Sequence, residues 1–305
     1  MKKKRYYTFN RFMREKTGDK VRKISVDGGF TCPNRDGKAG LGGCIYCHTP
    51  SFVPMSSNSQ KTVSAQVGEG ISRLKARGFK GKFIVYFQAY TNTYAQVKTL
   101  KQLYDEALDC EEVIGLSIGT RPDCVSNEVL LLLEGYAKNY HVWIEYGLQS
   151  SNDKTLIRIN RGHNYAQFED AVKRTQKRGM YICAHIILGL PGEDREQMHE
   201  TIKRISDLGV DGVKIHHLQV VRGAVLERKY NDKEVKVLSI ADYVPLVCDI
   251  IERLSPEMIV HRLIGDVYDE LLVAPRWELS KTEILSLIDK EMERRGTYQG
   301  ARYIP

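Results

Sequence analysis

Three stretches of the chain share one pattern of apolar and polar positions. Each contains an amphipathic helical segment that has a basic residue near its end and is followed by a glycine, and then by an apolar run rich in β-formers. The helical segments end near Gly78, Gly179 and Gly209, where glycine adopts the left-handed conformation at little cost. This pattern predicts helices that alternate with strands.

Six segments are predicted to be strands, and most are nearly continuous apolar runs. They are residues 21–27, 82–88, 112–120, 141–149, 180–188 and 210–220. Unbroken apolar runs are typical of parallel strands that are covered on both faces. The order of elements therefore predicts an α/β fold, either a doubly wound sheet or a barrel. The sequence has no G-x-G-x-x-G after a strand and no Walker A motif, which weakens the doubly wound nucleotide-binding option.

The order of elements divides the chain into three predicted parts. These are a basic N-terminal segment at 1–20, an α/β core at 21–225 with a cysteine loop at 28–50, and a C-terminal extension at 226–305. The extension contains two helical segments and a short strand near 257–266. We expect it to pack on the core rather than form a separate catalytic domain.

Composition narrows the protein class. With 305 residues, 42% hydrophobic and 28% charged, the chain is typical of soluble globular proteins. The longest apolar runs are too short to span a bilayer, and the basic N-terminus lacks the apolar stretch of a secretory signal. Seven cysteines, an odd number, make a poor disulfide framework and suit a reducing compartment. We therefore expect a cytoplasmic protein that does not associate with membranes.

Positive charge is concentrated at the N-terminus. The net charge is +8, and residues 1–23 contain ten Lys or Arg with Tyr6, Tyr7, Phe9 and Phe12 among them. Cations that neutralise phosphates and rings that stack on bases favour a nucleic-acid partner. The alternative is a solvated tail that aids solubility.

Three cysteines lie on one glycine-rich loop after the first strand: Cys32, Cys44 and Cys47. A structural zinc site that uses His48 as the fourth ligand is one interpretation, although His48 directly follows Cys47. A redox C-x-x-C pair and inert core cysteines are two others. The remaining interpretation is a [4Fe–4S] cluster held by three thiolates, which leaves one iron open for catalysis.

These cysteines and five other stretches carry a family resemblance. The spacing C-x₁₁-C-x₂-C, with an aromatic residue before the last cysteine, resembles the cluster loop of radical S-adenosylmethionine (SAM) enzymes. The chain is similar to the YtqA/YhcC-type group, near the branch that contains the Elongator catalytic subunit. The supporting stretches are "GTRPD" at 119–123, "IEYGLQS" at 144–150, "INRGH" at 159–163, "HIILGLPGE" at 185–193 and "VKIHHLQVVRGAVL" at 213–226.

The resemblance implies a fold, two cofactors and a set of binding residues. The fold is a partial (β/α)₆ TIM-like barrel of the radical SAM type with a C-terminal helical extension. The cofactors are a [4Fe–4S] cluster on Cys32, Cys44 and Cys47, and SAM bound at the open iron and cleaved to a 5′-deoxyadenosyl radical. A reductant such as flavodoxin or ferredoxin is implied as a partner. The SAM contacts implied are Gln88, Tyr90, Glu145, Gln149, Arg161, Leu188 and Gly189.

The substrate is less constrained by the sequence. The Elongator-like branch and the basic N-terminus favour tRNA, and the YtqA-type resemblance implies remodelling of the C5 side chain of wobble uridine from carboxymethylaminomethyl to aminomethyl. One alternative is a radical SAM oxidoreductase that acts on a small metabolite such as a porphyrin precursor. Another is a non-enzymatic, zinc-bearing RNA-binding protein.

Overall fold

A parallel sheet of seven strands forms the centre of the computed structural model, which describes residues 4–48 and 59–304. Positions 1–3 of the predicted basic segment, 49–50 of the predicted cysteine loop and residue 305 lie outside the described residues. The sheet order is β1-β2-β3-β4-β5-β6-β8, and its pairs are all parallel. Its strands are β1 (Val21–Val26), β2 (Lys82–Phe87), β3 (Val113–Thr120), β4 (His141–Gln149), β5 (Tyr181–Leu188), β6 (Gly212–His217) and β8 (Ile259–Arg262). The six strands predicted from the sequence are confirmed.

The helices precede, connect and follow the strands. They are α1 (Phe9–Thr17), α2 (Val63–Ala76), α3 (Val97–Leu108), α4 (Asn127–Ala137), α5 (Asp153–Arg158), α6 (Tyr165–Thr175), α7 (Arg195–Asp207), α8 (Val225–Asn231), α9 (Ile240–Arg253) and α10 (Lys281–Arg294). A short 3₁₀ helix covers Pro122–Cys124, and an antiparallel pair joins β7 (Val220–Val221) to β9 (Leu272–Ala274). Within the described ranges we find no helix whose length and hydropathy would let it cross a bilayer.

Local signals in the sequence set the helix ends. Gly78, Gly179 and Gly209 have φ values of +78°, +74° and +70°, as expected of residues that follow a helix. The Ser126 side chain accepts a hydrogen bond from the backbone N–H of Val129 and caps α4. Gly78 and Gly209 lie two residues beyond the ends of α2 and α7, as the sequence pattern predicts, whereas α6 ends at Thr175, four residues before Gly179.

The sheet curls into an open barrel, as contacts between distant strands show. Lys23 on β1 donates to Glu145 on β4, although three inter-strand spacings would separate these strands by about 14 Å in a flat sheet. Lys214 on β6 donates to the Tyr86 hydroxyl on β2 across 2.9 Å, over four spacings. Polar side chains therefore meet inside the barrel, and the apolar core fills the space between the sheet and its helices. The predicted partial barrel is confirmed.

The C-terminal residues extend the sheet and cover one side of it. β8 pairs in parallel with β6 and becomes the seventh strand. Helix α10 packs on α9, and α9 packs on α7 of the core. Tyr243 of α9 is fully buried and donates to the carbonyl of Leu263. The C-terminal segment thus contributes one wall of the barrel.

The aromatic residues near the N-terminus close the bottom of the barrel. Phe9, Phe12 and Met13 of α1 are buried against Trp143 and Tyr181, which lie near the starts of β4 and β5. Phe12 meets Trp143 edge-on at 5.7 Å between ring centroids. The hypothesis that these phenylalanines stack on nucleic-acid bases is therefore wrong, since burying them in the core is the larger gain in free energy. The basic side chains between them remain on the surface.

Replacing Phe12 with alanine should destabilise the fold by about 3–5 kcal/mol, because it removes a buried ring and leaves a cavity under the barrel. Chemical denaturation measures this loss. Arg14→Ala, on the exposed face of the same helix, should change the free energy of unfolding by less than about 0.5 kcal/mol. Equal effects of the two substitutions would contradict the proposed role of α1.

Candidate active site

A cavity of about 510 Å³ opens at the carboxyl ends of the strands. Function in barrels gathers at this end, because the loops that follow the strands meet there. The cavity brings together most of the residues predicted from the sequence: Cys32, Cys44, Cys47, Gln88, Tyr90, Glu145, Gln149 and Arg161. Leu188 and Gly189 are not among its lining residues, although Ile187 is.

The cysteine loop is held in place by the segment that follows α5. The Asn160 side-chain amide donates to the carbonyls of Leu41 and Gly43 at 3.0 and 2.8 Å. The backbone N–H of Ile45 donates to the Ile159 carbonyl, and the carbonyl of Ile45 accepts from Leu226. A loop rich in glycine is conformationally flexible on its own, so these hydrogen bonds are what fix the positions of the thiols. The docking role of Asn160 was not predicted, although it lies in the "INRGH" stretch.

Hydrogen-bond donors approach two of the three sulfurs. Arg161 Nη1 and Asn34 Nδ2 each lie 3.6 Å from Cys44 Sγ, and Arg35 Nη1 lies 4.0 Å from Cys47 Sγ. Burial raises the pKa of Cys47 to about 11, and the nearby Cys44 adds to this, whereas Arg35 opposes it. Thiols in such surroundings become thiolates readily only when they bind a metal.

The side chain of Arg161 passes directly over Gly147 to reach the cysteine loop. Its Nη2 donates to the carbonyl of Gly147 at 2.5 Å, and a Cβ at position 147 would lie 2.6 Å from the same nitrogen. Any larger residue at 147 would displace the guanidinium. Arg121 supports this arrangement, since it donates to the Arg161 carbonyl and forms a bidentate ion pair with Asp123. The resemblance implies Arg161 as a SAM contact; Arg121, in the "GTRPD" stretch, ties two loops together among the described residues.

The floor of the cavity is a network around the fully buried carboxylate of Glu145. Oε1 accepts from Lys23 and Ser117, and Oε2 accepts from His185 at 2.6 Å and Lys214 at 3.0 Å. A carboxylate has about four lone-pair positions, and these four donors use them. A contact of Glu145 with SAM, as predicted from the sequence, would have to replace one of these donors.

The floor network shifts the pKa values of its members. Burial alone would raise the pKa of the Glu145 carboxyl, but the ammonium groups of Lys214 and Lys23 and the His185 hydrogen bond hold it well below its usual value. Burial lowers the pKa of His185 to about 4 and that of Lys214 to about 8, although Glu145 opposes both shifts. Glu145 is therefore ionised at neutral pH and the His185 ring is neutral. Lys23, Tyr86, His185 and Lys214 were missed by sequence analysis, because their convergence requires the curl of the sheet.

The other predicted SAM contacts have defined positions. Gln88 Nε2 donates to Ser25 Oγ at 3.1 Å, and Tyr90 and Gln149 have φ values of +64° and +77°. Gly189 has a φ of +79° and donates its N–H to the sulfur of Met198, and Leu188 is buried. Their contacts with SAM stay predictions.

Polar residues in or next to the "HIILGLPGE" and "VKIHHLQVVRGAVL" stretches have defined contacts. Asp194 caps α7 through the N–H of Gln197. His217 packs its ring on Trp277 at 4.4 Å, whereas His216 lies beside His185 at 5.9 Å between ring centroids. Only His216 therefore joins the polar network of the interior.

Comparison with known proteins identifies the family. Residues 32–205, more than half of the chain, match the model of the radical SAM superfamily, and residues 210–294 match the radical SAM C-terminal domain. The chain belongs to the radical SAM superfamily. Membership overturns the non-enzymatic zinc-protein alternative, since radical SAM proteins use a [4Fe–4S] cluster and SAM.

Close relatives align along nearly the whole chain. Protein YtqA of Bacillus subtilis is 42% identical over 97% of this chain and 92% of its own. Protein YhcC of Escherichia coli is 36% identical over 93% of this chain and 91% of its own. Among solved structures, the Elp3 protein of the archaeon Methanocaldococcus infernus superposes with a TM-score of 0.72 at 18% identity, which shows a shared fold. It covers 92% of this chain, but this chain spans less than two thirds of it, 64%.

The residues present fit a [4Fe–4S] cluster. Three thiols line one end of the cavity, and N–H donors of Arg161, Asn34 and Arg35 face two of the sulfurs. Arg161 Nε is buried and unpartnered among the described residues. Donors aimed at sulfur stabilise the negative charge that thiolate-bound clusters carry. The assignment of Cys32, Cys44 and Cys47 as the cluster ligands stays a prediction.

Replacing Cys32 with serine should abolish cluster-dependent release of 5′-deoxyadenosine, because a hydroxyl is a poor ligand for iron. Iron content and visible absorption of the anaerobically reconstituted protein would fall in parallel. Cys110→Ser is the matched control, since Cys110 lies outside the cavity lining and should leave both readouts unchanged. Retained cleavage in Cys32→Ser would show that the ligand assignment is wrong.

Replacing Glu145 with glutamine should lower the free energy of unfolding at pH 7 by about 3–5 kcal/mol, because it leaves the buried Lys214 and the partly buried Lys23 without their anion. The folded-state pKa of Glu145 lies below its unfolded value, so this stabilisation is present above about pH 4 and is lost as pH falls further. Chemical denaturation of the wild type and Glu145→Gln at pH 7 and pH 3 measures whether their free energies of unfolding come closer together at the lower pH. The control is Glu169→Gln in an exposed pair with Lys173, worth below about 1 kcal/mol. A gap of the same size at both pH values would contradict the ionised state of Glu145.

Proposed function

We propose that this radical SAM enzyme modifies the C5 side chain of wobble uridine in tRNA, converting carboxymethylaminomethyl to aminomethyl. The observation that carries the proposal is the charge of the cavity. Five basic side chains line it against the carboxylates of Glu145 and Asp266, and the five are Arg35, Arg121, Arg161, Lys214 and Arg262. Such a surplus favours an anionic substrate.

Family resemblance supports the same direction. The sequence is similar to the Elongator branch, and the archaeal Elp3 structure shares the fold over most of this chain. The basic N-terminus contributes less than its composition indicates, because α1 packs at the first residues of the strands and the cavity opens at the opposite ends. The case for RNA at the site therefore depends on the cations of the cavity itself.

Different residues of the chain would hold the cofactors and exclude water in the proposed reaction. When bound, the cluster and SAM would supply a 5′-deoxyadenosyl radical that takes a hydrogen atom from the substrate, with SAM as the net two-electron oxidant, spent as methionine and 5′-deoxyadenosine. Oxidation of the methylene between the amine and the carboxylate, followed by attack of water, would release the carboxymethyl group as glyoxylate and leave the aminomethyl product. Arg161, Asn34 and Arg35 donate hydrogen bonds toward the sulfur end of the cavity. The Phe12 and Trp143 rings close the bottom of the barrel to water. The polar floor then faces the part of the substrate that enters furthest.

Deleting the gene should remove aminomethyl-type wobble uridines from tRNA and leave the carboxymethylaminomethyl form in their place. Mass spectrometry of tRNA nucleosides from the strain with and without the gene measures both. Reintroduced wild-type protein should restore the product, and Cys47→Ser protein should not.

Unchanged wobble uridines in the deletion strain would remove this proposal. If the purified holoenzyme then released 5′-deoxyadenosine only with a small metabolite, the metabolite alternative would take its place.

A further inference from the structure

The cavity floor carries more positive than negative charge. The ammonium groups of Lys23 and Lys214 share a single carboxylate, that of Glu145; Glu145 and Lys214 are buried, and the Lys23 side chain is 19% exposed. The three histidines around them are neutral, because burial lowers each pKa below its usual value; they are His185, His216 and His261. Uncompensated charge in a buried site is costly, so a further anion at this floor would be stabilised.

The Lys214 ammonium has more N–H donors than hydrogen-bond acceptors among the described residues. Its ammonium donates to the Tyr86 hydroxyl at 2.9 Å and to Glu145 at 3.0 Å. An ammonium has three N–H groups, so one donor is left over on a side chain that lines the cavity. Lys23, the other lysine on Glu145, is not among the residues that line it.

Two further donors lie on the same side of the barrel. Arg262, on β8 next to the strand of Lys214, lines the cavity and faces Asp266 at 3.5 Å, longer than a hydrogen bond. The Nε2 atom of His216 is buried and has no partner among the described residues. Its ring lines the cavity two residues beyond Lys214, on the same face of β6.

We propose that Lys214, Arg262 and His216 form a carboxylate-binding subsite for the substrate side chain. This inference rests on the proposed function, in which the substrate ends in a carboxymethyl group. The ammonium and the guanidinium bind the two carboxylate oxygens, and the neutral imidazole donates a third hydrogen bond. A carboxylate held here fixes the adjoining methylene between the floor and the sulfur end of the cavity.

Glu145 is a positioning residue in this arrangement. It holds Lys214 in its charged form and aims it at the cavity, but its lone pairs are already used by protein donors. The basic groups at the other end of the cavity have different partners, since Arg161 donates to Cys44 and Arg121 pairs with Asp123. The floor cations are therefore the ones available to the substrate.

The test compares two anticodon stem-loop RNAs with the reconstituted holoenzyme. One carries carboxymethylaminomethyluridine, and the other carries the neutral carboxamide of the same side chain. The wild type should show a KM at least about tenfold lower for the carboxylate, as expected for losing one charge-assisted hydrogen bond. Lys214→Met should raise the KM for the carboxylate and abolish the preference, with little change for the amide.

Two more variants separate recognition from stability. Lys23→Met also removes a partner of Glu145, so it should lower thermal stability yet keep the preference for the carboxylate. Arg262→Gln changes a partly exposed side chain and should reduce the preference in a folded protein. If Lys214→Met does not fold, Arg262→Gln decides the question.

The outcomes distinguish this inference from the proposed function. A wild type that converts both RNAs with equal KM, or a folded Lys214→Met or Arg262→Gln that keeps the full preference, would overturn the subsite and leave the tRNA function standing. A wild-type holoenzyme that cleaves SAM but converts neither RNA would overturn both.

Discussion

One buried carboxylate holds the interior of this protein together. Glu145 lies in the middle of β4, and its four hydrogen-bond partners come from β1, β3, β5 and β6. Ser117 and His185 lie on the two neighbouring strands, whereas Lys23 is three strands away and Lys214 is two. The contacts of the two lysines and the curl of the sheet therefore depend on each other. A buried ion pair adds little net stability over an apolar core, but it specifies which strands must meet.

The same curl divides the cavity into two chemically different ends. At one end Cys44 and Cys47 face donors from an asparagine and two arginines, which suits an anionic cluster bound by sulfur. At the other end two lysines share one carboxylate, which suits an oxygen anion. The barrel brings the three thiols and Lys214 to the lining of one cavity.

The sequence contains the parts of this arrangement that depend on local pattern. Apolar runs predicted the strands, glycines predicted the helix ends, and the spacing of Cys32, Cys44 and Cys47 predicted a three-thiol loop. The floor could not be predicted, because Lys23 and Lys214 are far apart in sequence and look like ordinary charged residues in apolar strands. The role of the N-terminal phenylalanines was predicted wrongly for a related reason. The positive charge around them indicated a nucleic-acid partner, but they form the apolar face of an amphipathic helix that packs on the barrel.

Helix α1, which closes the bottom of the barrel, affects how substrate and products enter and leave the cavity. Because Phe12 and its neighbours fill the far end, methionine and 5′-deoxyadenosine would leave through the mouth at the carboxyl ends of the strands, where the substrate would arrive. A macromolecule seated over that mouth would hold the spent cofactor inside until it departs. Each docking event would then consume a single SAM, and the departure of the macromolecule would set the pace of repeated cycles.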